Sequence, residues 1–218
     1  MIEKFIHPPR VERPGATEDA TAARRRLADK FPRTALRRMT HLGLLLGSVL
    51  EGEALAPGDA LVYASTFAET RALEDFLKSF PAASPLLFQT SIHPGGIQQV
   101  LIGRQQPVAR LWPLAGRARL VEQALLTVLL EPAARTVLTG GEERGSWMLD
   151  LDMAAARPFA FAFVASREPA GAIGRISFEP GDFSDEPCPV LEKFVDALAG
   201  RRSLEWRGAG GICRLLWK

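Results

Sequence analysis

With 218 residues, 47% of them hydrophobic and 24% charged, the chain can fill one substantial core and has the balance of a globular protein, not a disordered or fibrous one. A formal net charge of +2 argues against a nucleic-acid-binding role, and no apolar run approaches the ~18 residues that a membrane span needs. Two cysteines, Cys188 and Cys213, lie far apart and share no ligand spacing with His7, His41 and His93, so no metal and no cofactor is expected. With no apolar leader over Met1 to Ile6, a reducing, cytoplasmic setting is the simplest expectation.

Residues 1–21 mix Pro8, Pro9, Pro14 and Gly15 with charges and read as an extended arm rather than a packed element, with residues 22–218 as one domain. Arg24, Arg25, Arg26, Arg33, Arg37 and Arg38 then cluster, as a solvated helix face or as a docking surface for an acidic partner. From Thr34, the spacing of Leu36, Met39, Leu42, Leu45, Leu46 and Val49 predicts a helix ending near Gly52. Ala60 to Ser65 is a short apolar run after Pro57-Gly58-Asp59, the pattern of a buried strand. Ser65 or Thr66 can cap the next helix, whose Phe67, Leu73, Phe76, Leu77 and Phe80 share a face until Pro81 to Pro85 break it.

Pro94 can open a helix reaching Arg104, with Ile97, Val100 and Leu101 as its apolar stripe. Val108 to Leu111 reads as a strand, Gly116 to Leu130 as an apolar helix and Thr136 to Thr139 as a second buried strand. Phe159 to Val164 and Ala172 to Phe178 read as antiparallel strands around a loop from Ser166 to Gly171. Pro189 to Leu198 predicts a last helix with Leu191, Phe194, Val195 and Leu198 inward, and Leu204 to Trp206 and Ile212 to Trp217 predict closing strands. This order predicts an α/β domain in layers, with a mixed, mainly parallel sheet closed by antiparallel strands.

Several motifs fall in a telling order: Arg37-Arg38-Met39-Thr40-His41-Leu42, Ser84-Pro85-Leu86-Leu87-Phe88, Ser91-Ile92-His93 and Thr139-Gly140-Gly141-Glu142. From about Arg37 to Lys218 the chain resembles the N-terminal half of the β-ketoacyl synthase family. Phe88-Gln89-Thr90-Ser91-Ile92-His93 is similar to a segment of the short ketosynthase-like proteins, or chain length factors, of aryl-polyene pathways. The resemblance implies half of a thiolase fold. Where the family carries a nucleophilic cysteine at the start of a buried helix, the chain reads Trp112-Pro113-Leu114-Ala115-Gly116, which puts Leu114 at the position of the lost nucleophile. The family's second half, with its two catalytic histidines, is expected to be missing, since the resemblance reaches only the first half. Claisen condensation needs a thiolate to hold the acyl chain and histidines to promote decarboxylation, and leucine does neither.

The resemblance therefore implies a non-catalytic subunit that pairs with a full-length ketosynthase in aryl-polyene, polyketide or fatty-acid-type biosynthesis. It implies a tunnel gate at Ile92, with Gly96, Ile97 and Val100 along the wall. The partner interface falls at Leu101, Val108, Arg110, Leu111 and Trp112, on an edge strand that left bare would invite aggregation. Carrier proteins are acidic, so an acyl carrier protein could dock on the arginines near Arg37.

Two other readings stay open. Ser91 and His93 could serve a small acyl-thioester hydrolase or decarboxylase, although a histidine at a helix start is commonly a capping or hydrogen-bonded residue. The same interface strand could instead build a homodimeric scaffold. Asp150 and Asp152 are an apparent carboxylate pair that more simply faces solvent, Gly95-Gly96 lacks the lysine of a phosphate loop, and Gly208 to Gly211 reads as a hairpin connection.

Overall fold

The computed structural model describes residues 1–15, 17–181, 187–208 and 210–218. Strands β1 (Ile2–Ile6) and β2 (Arg10–Glu12) are followed by helices α1 (Ala20–Arg26), α2 (Arg33–Leu36) and α3 (His41–Val49). Next come β3 (Ala60–Ser65), α4 (Thr70–Leu77), α5 (Pro85–Ser91), α6 (Gly95–Arg104), β4 (Arg110–Ala115), α7 (Leu120–Leu130) and β5 (Arg135–Glu142). The chain ends through β6 (Phe159–Ser166), β7 (Gly174–Pro180), α8 (Leu191–Ala199), β8 (Leu204–Gly208) and β9 (Gly211–Trp217).

All nine strands join one open sheet in the order β4-β3-β5-β6-β1-β7-β9-β8, with β2 paired to β6. The parallel part is β4-β3-β5, and the remaining pairs are antiparallel. The antiparallel share is thus larger than the alternation of predicted helices and strands suggests. Successive side chains of a strand face opposite layers, and β3 shows it. Val62 and Ala64 join a core with α7 and α8, while Leu61 and Tyr63 join another with α3 and α6. Because helices cover both faces, all six residues of β3 are buried. Gly140 and Gly141 of β5 sit where a Cβ would overlap the carbonyl oxygens of Ala64 and Phe159, so the neighbouring strands leave no room for a side chain.

Four expectations change. The first residues are extended but packed, not an arm: β1 lies inside the sheet, with Ile6 and even Lys4 buried. The Lys4 ammonium donates to the Glu131 carbonyl (2.8 Å) and Thr136 Oγ1 (3.1 Å), and burial pushes its pKa down to about 8. Second, β1 separates β6 from β7 and is antiparallel to both, so those two strands run parallel and do not pair. Third, the helix predicted from Thr34 is two helices, because Thr40 leaves helical geometry and caps α3, accepting from the Gly43 amide at 3.0 Å. Fourth, Ser65 Oγ does accept from the Ala68 amide at 2.9 Å, but Ala68 is left-handed (φ 55°) and α4 starts only at Thr70.

Candidate functional site

Ligands of open α/β sheets gather beyond the carboxyl ends of the parallel strands, where turns and helix starts present free amides. Here that place lies beyond Ser65 and Glu142, and the chain fills it with its own buried carboxylates. Glu142 accepts from the amides of Thr66 and Phe67 and from the Ser65 hydroxyl (3.2 Å). Glu143 accepts from Leu42 in the first turn of α3 and from Ala72 in the first turn of α4, both at 3.1 Å. Glu74 takes the amides of Ser146 (2.8 Å) and Met148 (3.0 Å). Glu69 takes the Gly96 amide (2.9 Å) and the Tyr63 hydroxyl (3.2 Å). Burial of Glu142 and Glu143 outweighs these donors and pushes both pKa values up to about 7. The amides at these strand ends and helix starts are therefore already engaged by the chain's own carboxyl groups.

Leu114 does not open the buried helix. It lies within β4, in register with Ala64, and α7 starts at Leu120. The helix-start position falls instead at Arg119, the left-handed N-cap (φ 58°), whose Nε donates to Glu122 at 3.1 Å. A thiol does reach this turn, from elsewhere in the chain. Cys188, between Pro187 and Pro189, comes within reach of the Val121 and Glu122 amides, yet burial keeps its pKa above that of an ordinary thiol. Its Sγ instead donates to the Pro189 carbonyl at 3.6 Å. Sequence reasoning missed this placement, and its sole local signal is a cysteine held between two prolines.

The Ser91 hydroxyl donates to the Phe88 carbonyl at 2.8 Å and makes no hydrogen bond to His93 among the described residues. His93 donates from Nδ1 to Glu69 Oε2 at 2.9 Å and stacks on Tyr63 with ring centroids 5.0 Å apart. It is thus the hydrogen-bonded helix-start histidine, not half of a Ser-His pair. Ile92, 48% exposed in the link between α5 and α6, faces outward. Gly96, Ile97 and Val100 are buried, Ile97 and Val100 against α3 in the chain's own core, so of the four proposed tunnel positions only Ile92 is at the surface.

Among the described residues, β4 is an edge strand that pairs with β3 alone. Leu111 is half-buried, as are Val108 and Leu101, which precede the strand. Arg110 and Trp112 share the other face and converge on the buried Glu131, with Arg110 Nη2 at 2.6 Å and Trp112 Nε1 at 2.8 Å. Across the α4–α5 hairpin, Phe76 packs on Phe80 and Phe88, yet Leu77, Phe80, Leu86 and Phe88 remain substantially exposed. Residues at a helix face of this kind are normally covered.

The arginine cluster divides. Arg24 donates to the carbonyls of Leu36 and Met39, and Arg26 pairs with Glu12 and Glu18. Arg33, Arg37 and Arg38 are exposed and pair with no described carboxylate, and Arg37 and Arg38 line a cleft of about 600 Å³ beside Leu86 and Thr90. Asp152 pairs with Arg117 at 2.6 Å, and no group of metal ligands assembles among the described residues. No described helix is long and apolar enough to cross a membrane.

No protein-family model and no curated protein matches the chain. The structure of the ketosynthase ApeO in complex with its chain length factor ApeC from Xenorhabdus doucetiae aligns over 99% of this chain and 100% of that one, with a TM-score of 0.67 and 17% identity. The ishigamide ketosynthase/chain length factor aligns over 83% of this chain and 68% of that one, with a TM-score of 0.57 and 13% identity. At such identities the likeness is one of fold: the chain has the thiolase-like α/β fold that these proteins share.

Proposed function

We propose that this protein is a non-catalytic ketosynthase-like subunit, of the chain length factor type, that pairs with an active β-ketoacyl synthase. The observation that carries this reading is the bare edge of β4, together with the uncovered apolar residues of the α4–α5 hairpin. A partner strand added to β4 would satisfy its open backbone groups. Covering an exposed Phe or Leu contributes roughly 1.5–3 kcal/mol per side chain. The partner in the ApeO–ApeC structure is a ketosynthase, and the proposal takes that pairing over to this chain.

The non-catalytic part rests on chemistry. Arg119 stands at the start of α7, the nearby Cys188 thiol is held protonated by burial, and carboxylates occupy the amides at the strand ends. Ile92 would then face the acyl tunnel of the partner and limit elongation by bulk. The product is an aryl polyene, polyketide or fatty-acid-type chain made in the cytoplasm. Arg33, Arg37 and Arg38 would meet an acidic acyl carrier protein, an attraction that salt should weaken.

Co-expression with a candidate ketosynthase and measurement of molar mass test this. A heterodimer is expected, and Trp112→Asp should weaken it at least tenfold, about 1.4 kcal/mol. Ile92→Ala should lengthen the product. A monomer beside the ketosynthase, with product length unchanged, overturns the proposal, and twice the chain's own mass would favour the homodimeric scaffold.

A further inference from the structure

We infer that Glu69 and His93 are positioning residues for the Ile92 gate, so that chain length is set by a residue held through a buried hydrogen-bond hub. This rests on the function proposed above. Ile92 has little packing of its own, being half-exposed between the last turn of α5 and the first of α6. What fixes it is its neighbours. The Glu69 side chain is fully buried, and its two oxygens reach residues on the C-terminal side of the gate: Oε2 takes His93 Nδ1–H and Oε1 takes the Gly96 amide, both at 2.9 Å. Oε1 also takes the Tyr63 hydroxyl at 3.2 Å, which ties the hub to the central strand β3. The Ile92 carbonyl itself accepts from the Gly95 amide at 2.6 Å, closing the turn.

The histidine's other nitrogen shows why the bond to Glu69 matters. Nε2 is enclosed and has no hydrogen-bond partner among the described residues. A leucine at this place could fill the space and stack on Tyr63 without leaving a polar atom unpaired. The advantage histidine offers here is orientation: Nδ1–H to carboxylate, with the ring pressed on Tyr63 at an interplanar angle of 23°. A single carboxylate thus sets the backbone that aims Ile92, and α6 needs room for it. At Gly96 a Cβ would already stand 3.4 Å from Glu69 Oε1 and 3.3 Å from Leu46.

The test uses the full chain co-expressed with its ketosynthase and reads the mass distribution of the products. His93→Leu removes the bond to Glu69, His93→Asn keeps a donor near the position of Nδ1, and Glu69→Gln turns one acceptor into a donor. With complex formation unchanged, His93→Leu and Glu69→Gln should raise the ratio of longer to principal product about fivefold, the loss of one hydrogen bond's worth of preference. His93→Asn should restore the narrow distribution, which a merely structural role would not predict. If Ile92→Ala shifts the product while His93→Leu leaves it unchanged, the positioning role is wrong and the gate stands. If no complex forms, or Ile92→Ala has no effect, the proposed function fails and this inference fails with it. Should Glu69→Gln not fold, the two His93 variants decide, since they leave the Glu69 bonds to Gly96 and Tyr63 in place.

Discussion

Helices α4 and α8 carry the same kind of apolar stripe in sequence and meet opposite fates. On α8, Leu191, Phe194, Val195 and Leu198 are all buried, with Phe194 edge-on to Phe161 at 5.9 Å. On α4 and the adjoining α5, Leu77 and Leu86 remain 40% and 59% exposed, and α4 buries Ala72 and Glu74 instead. One stripe therefore completes this chain's own core, and the other is left largely uncovered by it. Amphipathic patterning says that a face will be covered, but not by which molecule.

The sharpest way to break this comparison is to truncate one phenylalanine on each side. Phe194→Ala should cost about 3–5 kcal/mol in urea unfolding. Phe88→Ala should cost under about 1 kcal/mol in the isolated chain, yet weaken the ketosynthase complex about tenfold. Equal losses of stability for the two variants would show that α5 belongs to the core after all.

A second, smaller effect separates the carboxylates beside α4 from the rest. Burial raises the Glu143 carboxyl from 4.5 to about 7 in the folded state, so the fold binds a proton that the unfolded chain releases. Its contribution to stability is complete below pH 4.5 and is lost as pH rises through 7. Glu143→Gln should flatten this fall, by about 2–3 kcal/mol between pH 4 and 8, in urea titrations at a series of pH values. A wild-type stability as flat as the variant's over that window would place the proton elsewhere.

The smallest effect concerns the sealed side, where both cysteines sit against the α7–α8 core. Burial raises Cys188 above the ordinary thiol range and pushes Cys213 up to about 12. Alkylation at pH 8 should be at least about tenfold slower for Cys188 than for a free thiol, and slower still for Cys213. Rapid modification of Cys188 would mean that the start of α7 holds a thiolate, and would reopen the enzyme reading.

How much of this was legible in the sequence depends on how local the cause is. The continuous apolar run of β3 was read to the residue, and the cores of α7, β5 and the β8–β9 hairpin follow from patterns within a dozen residues. The start of α7 was not, because Arg119 takes a left-handed cap with no glycine to announce it. Nor was β1: Ile2-Glu3-Lys4-Phe5-Ile6 carries a lysine at a buried position, and its partners lie at residues 165–166 and 174–178. At the site, the motif order led to Ile92, His93 and the edge strand. The carboxylate plugs and Cys188 escaped, since their partners are distant in sequence and their side chains ordinarily lie at the surface.

The place of β1 also bears on how a ribosome must deliver this molecule. Ile2 pairs with Phe178, so β1 must wait for β7, which is made far later, before its slot between β6 and β7 exists. Until then Lys4 stays hydrated, and the sheet cannot join its two halves. A strand made before β6 and β7 is thus placed only after both, and a nascent chain tethered before β7 would keep β1 open to protease.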